Sequence, residues 1–380
     1  NVVVYRLPAG MSVVSPPSRC PSCGGCLKWY QNLPVLSWIF LRGRCQFCRC
    51  GISVQYPLIE LISGLLVAGL AVLIYLPDPG SYWSAVGGDW WILRGFAGSW
   101  PAFICWSLAL LGLLGMLLID ARTFLIPIEI PFIITVVCWV LWPIQALMDG
   151  GSSIGPEWPI PEFGWAGSLA GFGGVLGVLF GMMLLRIGAI RYSFHDYADY
   201  LQGDEVLADY PHARREMGVE VLFLLPCLAG IAIGWLFGST IESQISPVVA
   251  ALGSSMIGWL AGGVIVWAVR ILGTLAFGRE AMGLGDVHLL ASMGAAFGWS
   301  DPLIAFFIAP FFGLAWILIG QFGSRVFKGL GHQLPYGPHL AIALFLIIFL
   351  RPLVLELGDV FLPGLQGFSS VRLAQFTPNG

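Results

Sequence analysis

The sequence predicts an all-α polytopic membrane protein carrying a small cytoplasmic zinc-binding loop domain near the N-terminus. Three observations predict it. Of 380 residues, 57% are hydrophobic and only 10% are Asp, Glu, Lys or Arg, which is outside the balance of a soluble globular domain. The apolar residues fall into about nine separate runs, and six of the nine cysteines are gathered between Cys20 and Cys50, ahead of the first long run. The net charge of −3 is thinly spread and offers no basic patch, so no nucleic-acid partner is expected.

Taken in order, the chain opens "NVVVYRLPAG", with neither an initial Met nor a signal-peptide pattern, and a preceding helix is expected. Apolar runs that approach or reach the roughly 17 to 25 residues of a membrane span follow at 57–76, 102–119, 130–148, 166–187, 219–238, 248–272, 287–299, 302–323 and 338–357. Residues 287–299 are short for a crossing, but counting them as one brings the charges into agreement. Residues 1–56 hold Arg6, Arg19, Lys28, Arg42, Arg44 and Arg49 with no acidic residue, which marks them as cytoplasmic by the positive-inside rule. Alternation then places Arg122, Arg186, Arg191, Arg214, Arg215, Arg270, Arg279, Arg325 and Lys328 inside, against only Arg94 and Arg372 outside. Dropping the short run inverts everything after it. The segments expected outside are 77–101, 149–165, 239–247, 300–301 and 358–380.

That topology puts two aspartates at the cytoplasmic face. Asp120 closes "SLALLGLLGMLLID" and Asp286 opens "GDVHLLASMGAAFGW", 166 residues later. An ionisable residue at the edge of an apolar span is costly and reads first as functional. Two carboxylates a few ångströms apart do not both ionise cheaply, so one keeps a proton and the pair serves as base and acid on one water. Gly283 and Gly285, lacking a Cβ, allow an extended peptide backbone to approach Asp286. Asp120 alone also reads as a helix end paired with Arg122, and carboxylates of this kind also suit a proton-coupled transporter.

In the cysteine cluster, Cys20 and Cys23 form one CxxC and Cys45 and Cys48 a second, with 21 residues between them. Two such pairs offer four thiolates to a tetrahedral structural Zn²⁺, and a reducing cytoplasm favours metal over crosslinks. Cys26 and Cys50 exceed a four-ligand set and read as alternate ligands or bystanders. Cys105, Cys138 and Cys227 lie singly in apolar runs and read as small core residues.

These segments together resemble a known family. "AMGLGDVHLLASMGAAFGW" is similar to the GxGD segment of the bacterial prepilin peptidases, or type IV leader peptidases, and "LLIDARTFLIP" to the segment of their first catalytic aspartate. "LPYGPHLAIALFL", with Pro335, Gly337 and Pro338, resembles the family's start of a late helix. Residues 20–60 match its cytoplasmic loop at Asn32, Pro34, Ser37, Leu41, Gly43, Ile52, Ser53, Tyr56, Pro57 and Glu60. The opening residues resemble the exit of the family's first helix. Departures are His288 in place of a lysine, Gln55 in place of an arginine and Ile128 in place of an aspartate.

The resemblance implies a membrane aspartic endopeptidase of the bacterial inner membrane, with its active site facing the cytoplasm and Asp120 and Asp286 catalytic. Its substrates are the leader peptides of prepilin or pseudopilin precursors, and many members also N-methylate the new N-terminus with S-adenosylmethionine. Membrane lipid surrounds such a chain. No glycine-rich nucleotide fingerprint signals the methyl donor independently. The competing classes are a carboxylate-dependent transporter and a non-catalytic zinc-ribbon scaffold.

The domain reading is a tetracysteine domain at 1–56, membrane segments with the first aspartate at 57–148, an inserted region at 149–247, segments with the GxGD motif at 248–357 and a tail at 358–380. Within the insertion, His195, Asp196, Asp199 and His212 fit no common metal spacing and read as a solvated charged loop.

Overall fold

The structure is a computed structural model, and it describes residues 1–15, 17–150, 158–200, 210–323 and 336–361. Its helices, in chain order, are α1 (Val2–Arg6), α2 (Leu36–Phe40), α3 (Gln55–Tyr75), α4 (Asp89–Thr123), α5 (Glu129–Met148), α6 (Trp165–Arg186), α7 (Ala213–Gly238), α8 (Pro247–Phe277), α9 (Leu284–Phe297), α10 (Ser300–Gly323), α11 (Tyr336–Phe349) and α12 (Arg351–Phe361). Among the described residues there are no strands, only isolated bridges in the cysteine domain.

Among the described residues seven helices, α3 to α8 and α10, are long and apolar enough to cross a membrane, and α9 and α11 are shorter apolar helices. The chain is a multi-pass membrane protein. Two boundaries differ from the sequence reading. The segment 77–101, expected as an outer loop, is already helical from Asp89, and Gly95 (φ 61, ψ 176) breaks α4 into a short first piece and the long helix that follows. The run 338–357 is not one helix, since α11 gives way to α12 at Leu350.

The centre of the bundle is α9. At 14 residues it is about 21 Å long, less than the hydrocarbon thickness of about 30 Å, yet from Asp286 to Phe297 all but one of its residues are buried. It is enclosed by α4, α5, α8, α10 and α11. Protein rather than lipid therefore satisfies its polar backbone ends. The α8 contact is backbone to backbone: a Cβ on Gly258 would strike the carbonyl of Gly294, and one on Gly294 would strike that of Gly258. At the C-terminal end of α9, the ring of Trp106 packs on Phe297 and is linked through Trp91, Trp90 and Trp158 to Trp142, whose Nε1 donates to the Ala295 carbonyl at 3.1 Å. A buried Arg351–Asp301 ion pair ties α12 to the start of α10 there. This rigid end leaves the N-terminal end of α9 as the place for chemistry.

Candidate active site and metal centre

Asp120 lies on the last turn of α4. Phe124, in the left-handed region (φ 57), ends the helix by donating its N–H to the Asp120 carbonyl at 2.9 Å, and so turns the chain away immediately after the carboxylate. Asp286 occupies the third position of α9, behind Gly283 as N-cap, and its carboxylate lies back beside Gly283 at the helix start. Both aspartates are buried, at 5% and 7% exposure.

The element that unites them is α11. Gly337, its second residue, sits where a Cβ would overlap Asp120 Oδ2 and stand 3.3 Å from Asp286 Oδ1. The two carboxylates thus meet across one glycine. Tyr336 secures that glycine by donating its hydroxyl to the Phe306 carbonyl of α10 at 3.0 Å. Two buried carboxylates sharing one small space have the geometry to share a proton and hold a water between them.

The two motif glycines differ in surroundings. Gly283 is exposed, and a Cβ there would make only ordinary contact with Asp286 Oδ2 at 3.6 Å. Gly285 faces the Ile126 side chain, where a Cβ would lie 3.0 Å from Ile126 Cβ, so the segment after Asp120 packs closely on the start of α9. Pro335 lies outside the described residues.

The cysteine domain is built from two equivalent turns. In the first, Cys20 N–H donates to the Gly25 carbonyl and Gly24 N–H to the Cys20 carbonyl. In the second, Cys45 N–H donates to the Cys50 carbonyl and Arg49 N–H to the Cys45 carbonyl. Gly24 (φ 69) and Arg49 (φ 60) hold the same left-handed position in each. The turns bring Cys20, Cys23, Cys45 and Cys48 together with all four Sγ atoms within 4.8 Å of one another, a set that can hold a metal ion. Tetrahedral Zn–S bonds of about 2.3 Å require sulfurs about 3.8 Å apart, so the donors fit that ion with small adjustment. Backbone N–H groups of Cys23 and Ser22 hold the Cys20 thiol down at about 6, and the Cys50 N–H holds the Cys48 thiol below its usual value. One sulfur of each turn is thereby shifted toward the thiolate. Cys50 takes the place that Gly25 has in the first turn, with its Sγ 3.6 Å from that of Cys20, and Cys26 is exposed.

The motif residues around the cluster have structural work. Glu60 on α3 accepts the Val35 N–H at 2.8 Å and the Asn1 side chain at 2.9 Å, anchoring the domain to the membrane bundle. Gly43 (φ 66) packs on Trp38, whose Nε1 donates to the Ile52 carbonyl at 3.0 Å. Replacing both Cys20 and Cys23 with Ser is expected to remove about one zinc per chain and to open residues 20–50 to protease, because so small a loop has little core of its own. Metal analysis and limited proteolysis check this.

Comparison with known sequences places the site in context. Residues 1–74 match the Bacterial Peptidase A24 N-terminal domain, and residues 220–318 match the Type IV leader peptidase family. Two separate segments of the chain are thus similar to the type IV leader peptidases. A prepilin leader peptidase/N-methyltransferase of Myxococcus xanthus is 58% identical over 66 residues, 17% of this chain, and one of Burkholderia pseudomallei 54% identical over 67 residues, 18% of this chain. The chain spans only 20% and 22% of the length of those two relatives in these matches. A protein of the same name from Dickeya chrysanthemi is 26% identical over 368 residues, covering 90% of this chain and 84% of the relative. No solved structure matches. The first match holds the four cysteines and Glu60, the second holds Asp286, and Asp120 lies between them.

Two parts of the site are not evident from the sequence. Gly337 stands in a recognisable motif, but its place between the carboxylates depends on how α11 packs. Arg270 and Glu220, buried together beside the loop that leads to Asp286, read in the sequence only as an inside charge and a span residue.

Proposed function

We propose that this chain is a membrane aspartic endopeptidase that removes the leader peptide from type IV prepilin or pseudopilin precursors at the cytoplasmic face of the bacterial inner membrane. The observation that carries the reading is the pairing of Asp120 and Asp286 across Gly337. The ionised carboxyl takes a proton from the attacking water, and the protonated one hydrogen-bonds the scissile carbonyl and then supplies the proton that the leaving nitrogen needs. Gly283, open beside Asp286, gives the extended substrate backbone its approach, and Gly285 brings the segment after Asp120 against the same helix start. The relatives' names support prepilin-type substrates and a second, N-methyltransferase activity, for which the proposed acceptor is the new N-terminus and the proposed methyl donor is S-adenosylmethionine. Zinc on Cys20, Cys23, Cys45 and Cys48 is structural, since the four thiolates leave no open coordination position.

The direct test is incubation of the purified protein, in lipid, with a prepilin-type precursor. Release of the leader is expected, while carboxylate-dependent ion flux without cleavage would favour the transporter reading. Orientation has its own test. Cysteines placed at 122, 205 and 279 are expected to react with a membrane-impermeant thiol reagent from the cytoplasmic side, and those at 85 and 157 from outside, on a background lacking accessible native thiols. Positions 157 and 205 lie outside the described residues. External labelling at 279 would put Asp286 on the wrong face and sink the protease reading.

A further inference from the structure

We propose that Arg270 is a positioning residue for Asp286, acting through the loop that ends at Met282 and Gly283. The inference rests on Asp286 being catalytic.

Arg270, on α8, is 2% exposed, and all three guanidinium nitrogens donate hydrogen bonds. Nε and Nη2 donate to Glu220 of α7 at 3.0 and 2.9 Å, while Nη1 donates to the Glu280 carboxylate and to the Met282 carbonyl. Glu220 also accepts from Trp267 Nε1 at 2.7 Å, so its second oxygen is held as well. The Phe194 ring covers the guanidinium, with Cζ 5.2 Å from the ring centroid.

The carbonyl of Met282 and the N–H of Gly283 belong to one planar peptide unit. Arg270 binds its oxygen, and the Asp286 carboxylate lies against Gly283, with Oδ2 3.6 Å from where a Cβ on that residue would stand. Moving the oxygen therefore shifts the residue against which the carboxylate rests. The rest of the loop is held by Ala281 N–H donating to Thr274 Oγ1 at 3.1 Å, which leaves Arg270 as the grip nearest Asp286.

A buried ion pair adds little to stability that apolar packing would not supply. What this arrangement adds is direction. The planar fork of an arginine reaches Glu220 with one edge and the 280–282 loop with the other, whereas a lysine ammonium is a point charge without such an edge. Glu220 is held in turn by the α6–α7 hairpin, whose helices touch where a Cβ on either Gly173 or Gly230 would meet the other's carbonyl. The region that the sequence marks as an insertion thus reaches the catalytic loop through one guanidinium.

The test compares wild type, Arg270→Lys, Glu280→Gln, the double variant and Asp286→Asn on one prepilin-type precursor, with kcat referred to the folded fraction. Arg270→Lys is expected to lower kcat about 10- to 100-fold, the range that small misplacements of a reacting group cost, with KM changed less than about threefold. Glu280→Gln, at the half-exposed end of the network, is expected to lower kcat by less. The double variant is expected to be no worse than Arg270→Lys alone, because both act on one loop. A folded Arg270→Lys with kcat within about twofold of wild type, a loss confined to KM, or a loss fully explained by unfolded protein would overturn the inference. If Arg270→Lys does not fold, an unchanged kcat in Glu280→Gln overturns it instead. Cleavage that survives Asp286→Asn would instead defeat the protease reading on which the inference depends, and the two failures are thereby told apart.

Discussion

Asp120→Asn and Asp286→Asn are each expected to lower the rate of leader cleavage by on the order of 10³-fold or more while leaving the protein inserted and folded. An amide matches a carboxyl in shape, so the packing around Gly337 is kept. What is lost is the ability of the pair to take a proton from water and return one to the leaving nitrogen. Because the two groups act as one unit, the double variant is expected to be no slower than either single one. The measurement is single-turnover cleavage of a purified precursor, with intact fold verified by size-exclusion chromatography and thermal unfolding. Near-wild-type cleavage by either variant would remove that residue from the dyad.

Gly337→Ala is expected to be nearly as damaging, although it touches no ionisable atom. The added methyl overlaps Asp120 Oδ2 and comes within 3.3 Å of Asp286 Oδ1, filling the space in which the carboxylates meet. Either the carboxylates part or α11 retreats, and a shift of about 1 Å costs about 100-fold in rate. Overpacking of this kind costs roughly 1 to 3 kcal/mol of stability, so the variant should still fold. Gly283→Ala is the contrast: its methyl meets Asp286 Oδ2 at an ordinary 3.6 Å and points into open space, so kcat should hold and KM should rise if substrate backbone passes there. Steady-state kinetics on the two variants separates the roles, and a Gly337→Ala enzyme with full kcat would deny that the glycine spaces the pair.

The sequence by itself determined the membrane class, the order and approximate limits of the apolar helices, the two aspartates and the cysteine pairs. These are local properties: hydrophobicity over a window of membrane length, a lone carboxylate at the end of such a window, and CxxC turns whose geometry is set within a few residues. Even the motif residues Gly43 and Glu60 were visible as pattern, although their work was not; the structure makes Gly43 a left-handed turn and Glu60 an anchor to Val35. Only the tertiary structure decided that α4, α9 and α11 converge so that Gly337 lies between the carboxylates, that a 14-residue helix is tolerable because five others enclose it, and that Arg270 joins α7 to the loop before Asp286. The physical reason is the uniformity of apolar surface in a membrane chain. Every face of these helices is greasy, so periodicity does not say which face meets a neighbour and which meets lipid, and the choice falls to close backbone contacts such as Gly258 against Gly294 and to a few buried charges whose partners lie far apart in sequence.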